Sequence, residues 1–228
     1  MPNNQRHLQN YLILNKYYCY LFGFENMEEF RSKIKGTKEG ISENAQFYFT
    51  EFLKTLKNLK LLPNDLNRYD EHIQEYLQHI NRNRTKRIEL KYFQYLAVLF
   101  TEIHLDKYFN DFDNYFDDFA DFVEEMNEKH GYTASNGYPY PSIDSFKKLA
   151  YWSATGSGKT LLMHINYLQI MKYLRTANTP ISFDNILLIT PNKGLSKQHM
   201  EELNLSSINH ELFDMQSLKL GLWSTELP

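Results

Sequence analysis

The chain has 228 residues, with 25 Lys and Arg against 28 Asp and Glu and a net charge of −3. This excludes a broadly polycationic nucleic-acid binder and leaves only a local basic face for such a role. No apolar run reaches the length of a membrane span, the start MPNNQRHLQNYLIL lacks the features of a secretory signal, and the single cysteine, Cys19, excludes an internal disulfide and fits a reducing cytoplasm.

Residues 1–85 read as a helical amino-terminal region. Apolar residues recur at helical spacing from about His7 to Leu21, from Glu43 to Leu59 (Phe49, Phe52, Leu53, Leu56, Leu59) and from Asp65 to Ile80 (Leu66, Tyr69, Ile73, Tyr76, Leu77, Ile80). Pro63 and Asn64 punctuate the last two. Cys19 lies among Tyr17, Tyr18 and Tyr20, a setting for a packed thiol rather than a catalytic one. The basic cluster Arg82, Arg84, Lys86 and Arg87 has no interleaved aromatics and reads as a solvated linker.

Residues 86–145 form a second helical segment. Phe93, Leu96, Ala97, Phe100 and Ile103 give Leu90 to Phe109 an amphipathic pattern. The acidic stretch from Asp106 to His130 carries Phe109, Phe112, Phe116, Phe119 and Val123 at helical spacing, and it lacks the glycine turn and terminal glutamate of a calcium loop. It reads as a helix with an acidic face. GYTASNGYPYPS, residues 131–142, reads as the loop that leads onward. His72, His79 and His164 stand without metal-ligand spacing and read as surface or core side chains.

Residues 146–228 carry the strongest signal. A strand-like run, Leu149 to Trp152, leads into ATGSGKT, residues 154–160, and then into a helical pattern at Leu161, Leu162, Ile165, Leu168, Met171 and Leu174. Strand, glycine loop and helix in that order form a phosphate-binding loop. Gly156 and Gly158 let successive N–H groups turn toward a phosphate, Lys159 supplies a point charge for the outer phosphates, and Thr160 offers a hydroxyl to Mg²⁺. Ala154, Thr155 and Ser157 complete the candidate nucleotide cradle, so ATP with Mg²⁺ is the expected ligand. Ser153 departs from the strict pattern, which begins with Gly or Ala at that place. Farther on, NILLITPNKGLSKQHMEE reads as a buried strand (Ile186 to Ile189), a turn at Thr190 to Asn192, and a helix.

The form ATGSGKT resembles motif I of superfamily 2 helicases and translocases, in particular the branch that holds the Res subunits of type III restriction enzymes. Pro191, Leu195 and Gln198 stand at the spacing of motif Ia, and they follow motif I by about thirty residues, as in a βαβ unit. That resemblance implies a nucleic-acid contact through Pro191, Asn192, Lys193 and Gln198. Leu90, Phe93 and Gln94 resemble the upstream glutamine motif, which implies that Gln94 reads an adenine edge; an amide suits the task because it offers both donors and an acceptor. The resemblance covers about Leu90 to Glu202. It implies an α/β fold here: a helical amino-terminal region followed by an incomplete RecA-like domain with parallel strands. It further implies a nucleic-acid partner, DNA or RNA, and a restriction or methyltransferase subunit alongside.

The acidic second motif of that superfamily has no counterpart. Asp184 precedes its strand, and Asp214 follows only Leu212 and Phe213. The expectation is therefore the amino-terminal part of an ATP-driven translocase, or a nucleotide-binding subunit that does not hydrolyse ATP alone. Two strands cannot cover a parallel sheet, so the part after about Phe146 is expected to expose an unpaired strand edge.

Overall fold

The computed structural model describes residues 12–133, 135–151, 153–177, 181–183 and 185–212. The first helix, α1, runs Ile13–Leu21, and the expected start near His7 lies outside the described residues. α2, Met27–Ile34, has no counterpart in the sequence reading; its local signal is Asn26, whose side chain accepts from Glu29 N, as an N-cap does. α3 is short, Tyr48–Lys54, and α4, Pro63–Ile80, opens with proline at its first turn, where the missing N–H costs nothing.

α5, Tyr92–Asn110, lies at the centre. It packs on α4, on α6 (Phe112–Lys129) and on α8 (Lys159–Thr176). Its buried residues include Tyr95, Leu96, Val98, Leu99, Thr101, Glu102, Ile103 and His104. These point in every direction around the axis, so α5 is enclosed rather than amphipathic, because three helices supply apolar cover where the sequence alone suggested one covered stripe. α6 does keep one wet side: Tyr115, Phe119, Phe122 and Val123 are buried while Asp113, Asp117, Asp118 and Asp121 are exposed.

Aromatic rings fill the junction of α1, α6 and the four-residue helix α7, Ile143–Phe146. Tyr17 meets Phe119 edge-on at 5.2 Å, and Phe146 meets Tyr115 at 5.0 Å and Phe119 at 5.4 Å, the perpendicular geometry that ring quadrupoles favour. Cys19 is wholly buried, and burial pushes its thiol up to about 12, so it is an inert packing group.

The expectation of parallel strands is corrected here. Among the described residues no strand or sheet forms; the sole pairing is an isolated antiparallel bridge between Ile41 and Phe47. Residues 149–151 and 185–190, expected as strands, are without regular structure, and Ile186, Leu187, Leu188 and Ile189 are exposed at 52%, 71%, 44% and 88%. A strand satisfies its backbone only through neighbours, and these segments are too few to build a sheet with both faces covered. Trp152, Asp184 and Asp214 lie outside the described residues. The last helix, α9, runs Lys193–Leu205, and none of its residues is buried. No helix among the described residues is long and apolar enough to cross a membrane.

Candidate functional site

The glycine loop is built on helices rather than on a sheet. Gly156 and Gly158 both take left-handed backbone angles, φ +77° and +87°, a region that L side chains avoid. Gly158 is the N-cap of α8, and its carbonyl accepts from Leu162 N at 3.0 Å. The positive end of an 18-residue helix therefore faces the loop. Ala154, Thr155, Gly156 and Lys159 are exposed, while Ser157, Gly158 and Thr160 are half-buried. The Lys159 ammonium donates to Ala154 O at 3.0 Å and to Ser153 O at 3.3 Å. It is folded over the loop's own carbonyls. Beside it lies a cavity of about 210 Å³ lined by Tyr151, Ser153, Lys159, Leu162, Met163 and Asn166.

Gln94 stands under this loop. Its Nε2 donates to Ser157 O at 2.9 Å and its Oε1 accepts from Lys91 N at 3.0 Å. A Cβ added at Gly158 would come within 2.5 Å of that Nε2. The glycine is required for its backbone angle, and a larger residue there would also push the Gln94 amide aside. Farther along α5, the Thr101 hydroxyl bonds the Tyr151 hydroxyl, securing the run that enters the loop.

α8 is anchored to the core through Glu102, a signal legible only as one carboxylate in the apolar run YLAVLFTEIHL. Glu102 is fully buried. It accepts from Gln169 Nε2 at 2.7 Å, Tyr173 OH at 2.9 Å and Tyr76 OH at 3.3 Å, and it pairs with His72 Nδ1 at 2.7 Å. Burial, and then the Glu102 charge, hold the Tyr76 and Tyr173 hydroxyls far above their ordinary value, so both remain donors. A buried carboxylate persists only when partnered in this way, and its partners here come from α4 and α8.

His104 secures the approach to the loop. Its Nδ1 meets Tyr115 OH at 2.9 Å and its Nε2 meets Phe146 O at 3.0 Å. A carbonyl can only accept, so Nε2 carries the proton, and burial lowers the ring's pKa to about 4.

The residues expected to meet nucleic acid lie just before α9 and along its first half. Pro191, Asn192, Lys193 and Gln198 are all exposed. Asn192 caps the helix, its Oδ1 accepting from Leu195 N at 3.0 Å. Arg84, read from sequence as part of a solvated linker, is instead turned inward: its NH2 donates to Glu202 Oε2 at 2.9 Å and to Ser206 Oγ at 3.1 Å. Arg82, Lys86 and Arg87 are exposed. Among the described residues no group of three His, Cys, Asp or Glu side chains could hold a metal ion.

A larger crevice of about 450 Å³ lies between the start of α4 and the end of α5. Its Arg68 is already paired with Asp65 and Asp106 at 3.0 and 2.6 Å. None of its lining residues belongs to the glycine loop.

Residues 119–220 match the family model of the type III restriction enzyme, res subunit. The match spans less than half of the chain and contains the glycine loop, α8 and α9; Gln94 and Glu102 lie outside it. No curated protein and no solved structure matches the chain.

Proposed function

We propose that this chain is the nucleotide-binding front of an ATP-dependent helicase or translocase that acts on nucleic acid, DNA in the first instance, within a restriction or phage-defence system. The observation that carries the reading is the loop at 154–160, with two left-handed glycines opening an 18-residue helix inside the segment that matches the res subunit. ATP enters with its outer phosphates against the N–H groups of 156–160. Lys159 would exchange the Ser153 and Ala154 carbonyls for the phosphate oxygens, and the Thr160 hydroxyl would help hold an accompanying Mg²⁺, which neutralises phosphate charge. Gln94 reads the adenine edge with the amide proton and lone pair left over after its bonds to Ser157 and Lys91. Pro191, Asn192, Lys193 and Gln198 meet the nucleic-acid backbone at the amino end of α9, where unpaired N–H groups favour a phosphate. A restriction or methyltransferase subunit is the expected partner.

The part of this reading assigned to the residues named above is nucleotide binding rather than hydrolysis. Equilibrium titration of the full chain with ATP·Mg²⁺ tests the reading. Saturable binding is expected, weakened roughly tenfold or more by Lys159→Ala, the scale of one charge-assisted hydrogen bond, with negligible DNA-stimulated turnover. Equal affinity in both proteins contradicts the assigned site, and DNA-stimulated turnover abolished by Lys159→Ala contradicts the binding-only part.

A further inference from the structure

α9 has no fully buried residue, with Ser196, His199, Met200 and Leu203 half-buried along one side, yet it is held firmly at one end. Ser206 is fully buried and Ile208 nearly so, just beyond the helix. Ser207 takes a left-handed φ of +53°, which turns the chain so that Ile208 N reaches back to Leu203 O at 3.0 Å. Four residues from the rest of the molecule converge on this turn. Arg84 donates to both Glu202 and Ser206. Asn83 Nδ2 donates to Asn204 O at 3.0 Å, His79 Nε2 meets Ser207 O at 3.0 Å, and His164 Nδ1 meets Ser206 Oγ at 2.8 Å.

Arg84 can only donate, so the Ser206 oxygen accepts from it, and the same hydroxyl is also hydrogen-bonded to His164 Nδ1. His164 sits on α8 five residues after Lys159, buried to 1% exposure, and burial lowers its pKa to about 4. The hydroxyl of Ser206 thus joins the helix that opens at the phosphate loop to the end of the helix whose other end carries Lys193 and Lys197.

We propose that Arg84, Ser206 and His164 are positioning residues that couple nucleotide occupancy at the loop to the grip of α9 on nucleic acid. The proposal rests on the functional reading above for the roles of the two helices. A phosphate that draws Lys159 off the loop carbonyls shifts the first turns of α8, and His164 transmits that shift through Ser206 to the moored end of α9. Arg84, fixed in the turn after α4, is the fulcrum: it holds the moored end while the amino end of α9 swings. Spatial continuity alone does not establish coupling, so the test measures coupling directly.

The experiment uses the full chain, ATP·Mg²⁺ and a fluorescent single-stranded oligonucleotide, with oligonucleotide affinity measured with and without saturating ATP. The wild-type chain is expected to show a change of about fivefold or more between the two states, the lower range of allosteric coupling. Ser206→Ala and Arg84→Gln are expected to bring that ratio close to one while ATP affinity stays within about twofold. Arg84→Glu should likewise abolish the ratio, and Glu202→Arg in the same chain should restore it, an outcome that misfolding does not produce. A ratio retained in both single variants overturns the proposal. So does a loss of the ratio accompanied by an equal loss of ATP affinity, which marks general damage. A wild-type chain that binds ATP and oligonucleotide independently overturns the coupling and leaves the nucleotide site standing. A chain that binds no ATP overturns the functional reading and the coupling with it.

Discussion

The enclosed helix α5 and the exposed stretch 185–190 are both apolar, yet one is the core and the other lies open to solvent. A helix satisfies its backbone within itself and needs neighbours only for its side chains. An extended segment needs neighbours for both. Tyr95, Leu99 and Ile103 found those neighbours on adjoining helices and are fully buried, whereas Ile189, in the aliphatic run Ile186 to Ile189, is 88% exposed. The glycine loop stands at the border between the two regions, held from below by Gln94 and open above.

The contrast is tested most severely at Glu102. Glu102→Ala strips the partner from Gln169, Tyr173, Tyr76 and His72 at once, and it is expected to destabilise the chain by about 3–5 kcal/mol in denaturant unfolding, since each buried polar group left unsatisfied costs about 1–3 kcal/mol. A loss under about 1 kcal/mol would show that α8 is not anchored there.

Acid should act on the same core through His104 and His164. Each has a folded pKa of about 4, below the ordinary value for histidine near 6.5. The unfolded chain binds these protons first, so stability is complete above about pH 6.5 and falls as pH drops toward about 4, by as much as about 1.4 kcal/mol per pH unit for each ring. Unfolding midpoints measured across that window check this; His104→Gln should flatten part of the slope, and an unchanged slope contradicts the assignment.

The smallest effect is expected in the open region. Ile189→Ser removes an exposed side chain and should leave stability within about 0.5 kcal/mol of the parent while improving solubility. A loss on the scale of Glu102→Ala would mean that 185–190 is packed after all.

The glycine loop was legible in the sequence because its chemistry is local: Gly156, Gly158, Lys159 and Thr160 are constrained by one turn of chain. The long helices α4 and α6 were legible from their periodicity for the same reason. What escaped was non-local. Arg84 looked like a solvated linker residue because its partners, Glu202 and Ser206, stand more than a hundred positions away. Glu102 stood out only as a lone carboxylate in an apolar run, with nothing nearby to name Gln169 or Tyr173 as its partners. The strands were overcalled for the converse reason: Ile186 to Ile189 have the composition of a buried strand, but pairing is a property of neighbours, not of the segment.

Hydrogen exchange on the full chain with and without ATP·Mg²⁺ tests the central claim most directly. Amides of α5 around Glu102 and of the middle of α8 should be protected in both states, while those of residues 153–160 exchange rapidly alone and slow on adding ATP. Unchanged exchange at 153–160, or new protection in the crevice at Lys60 and Arg68 instead, would contradict a nucleotide site built on this helical core.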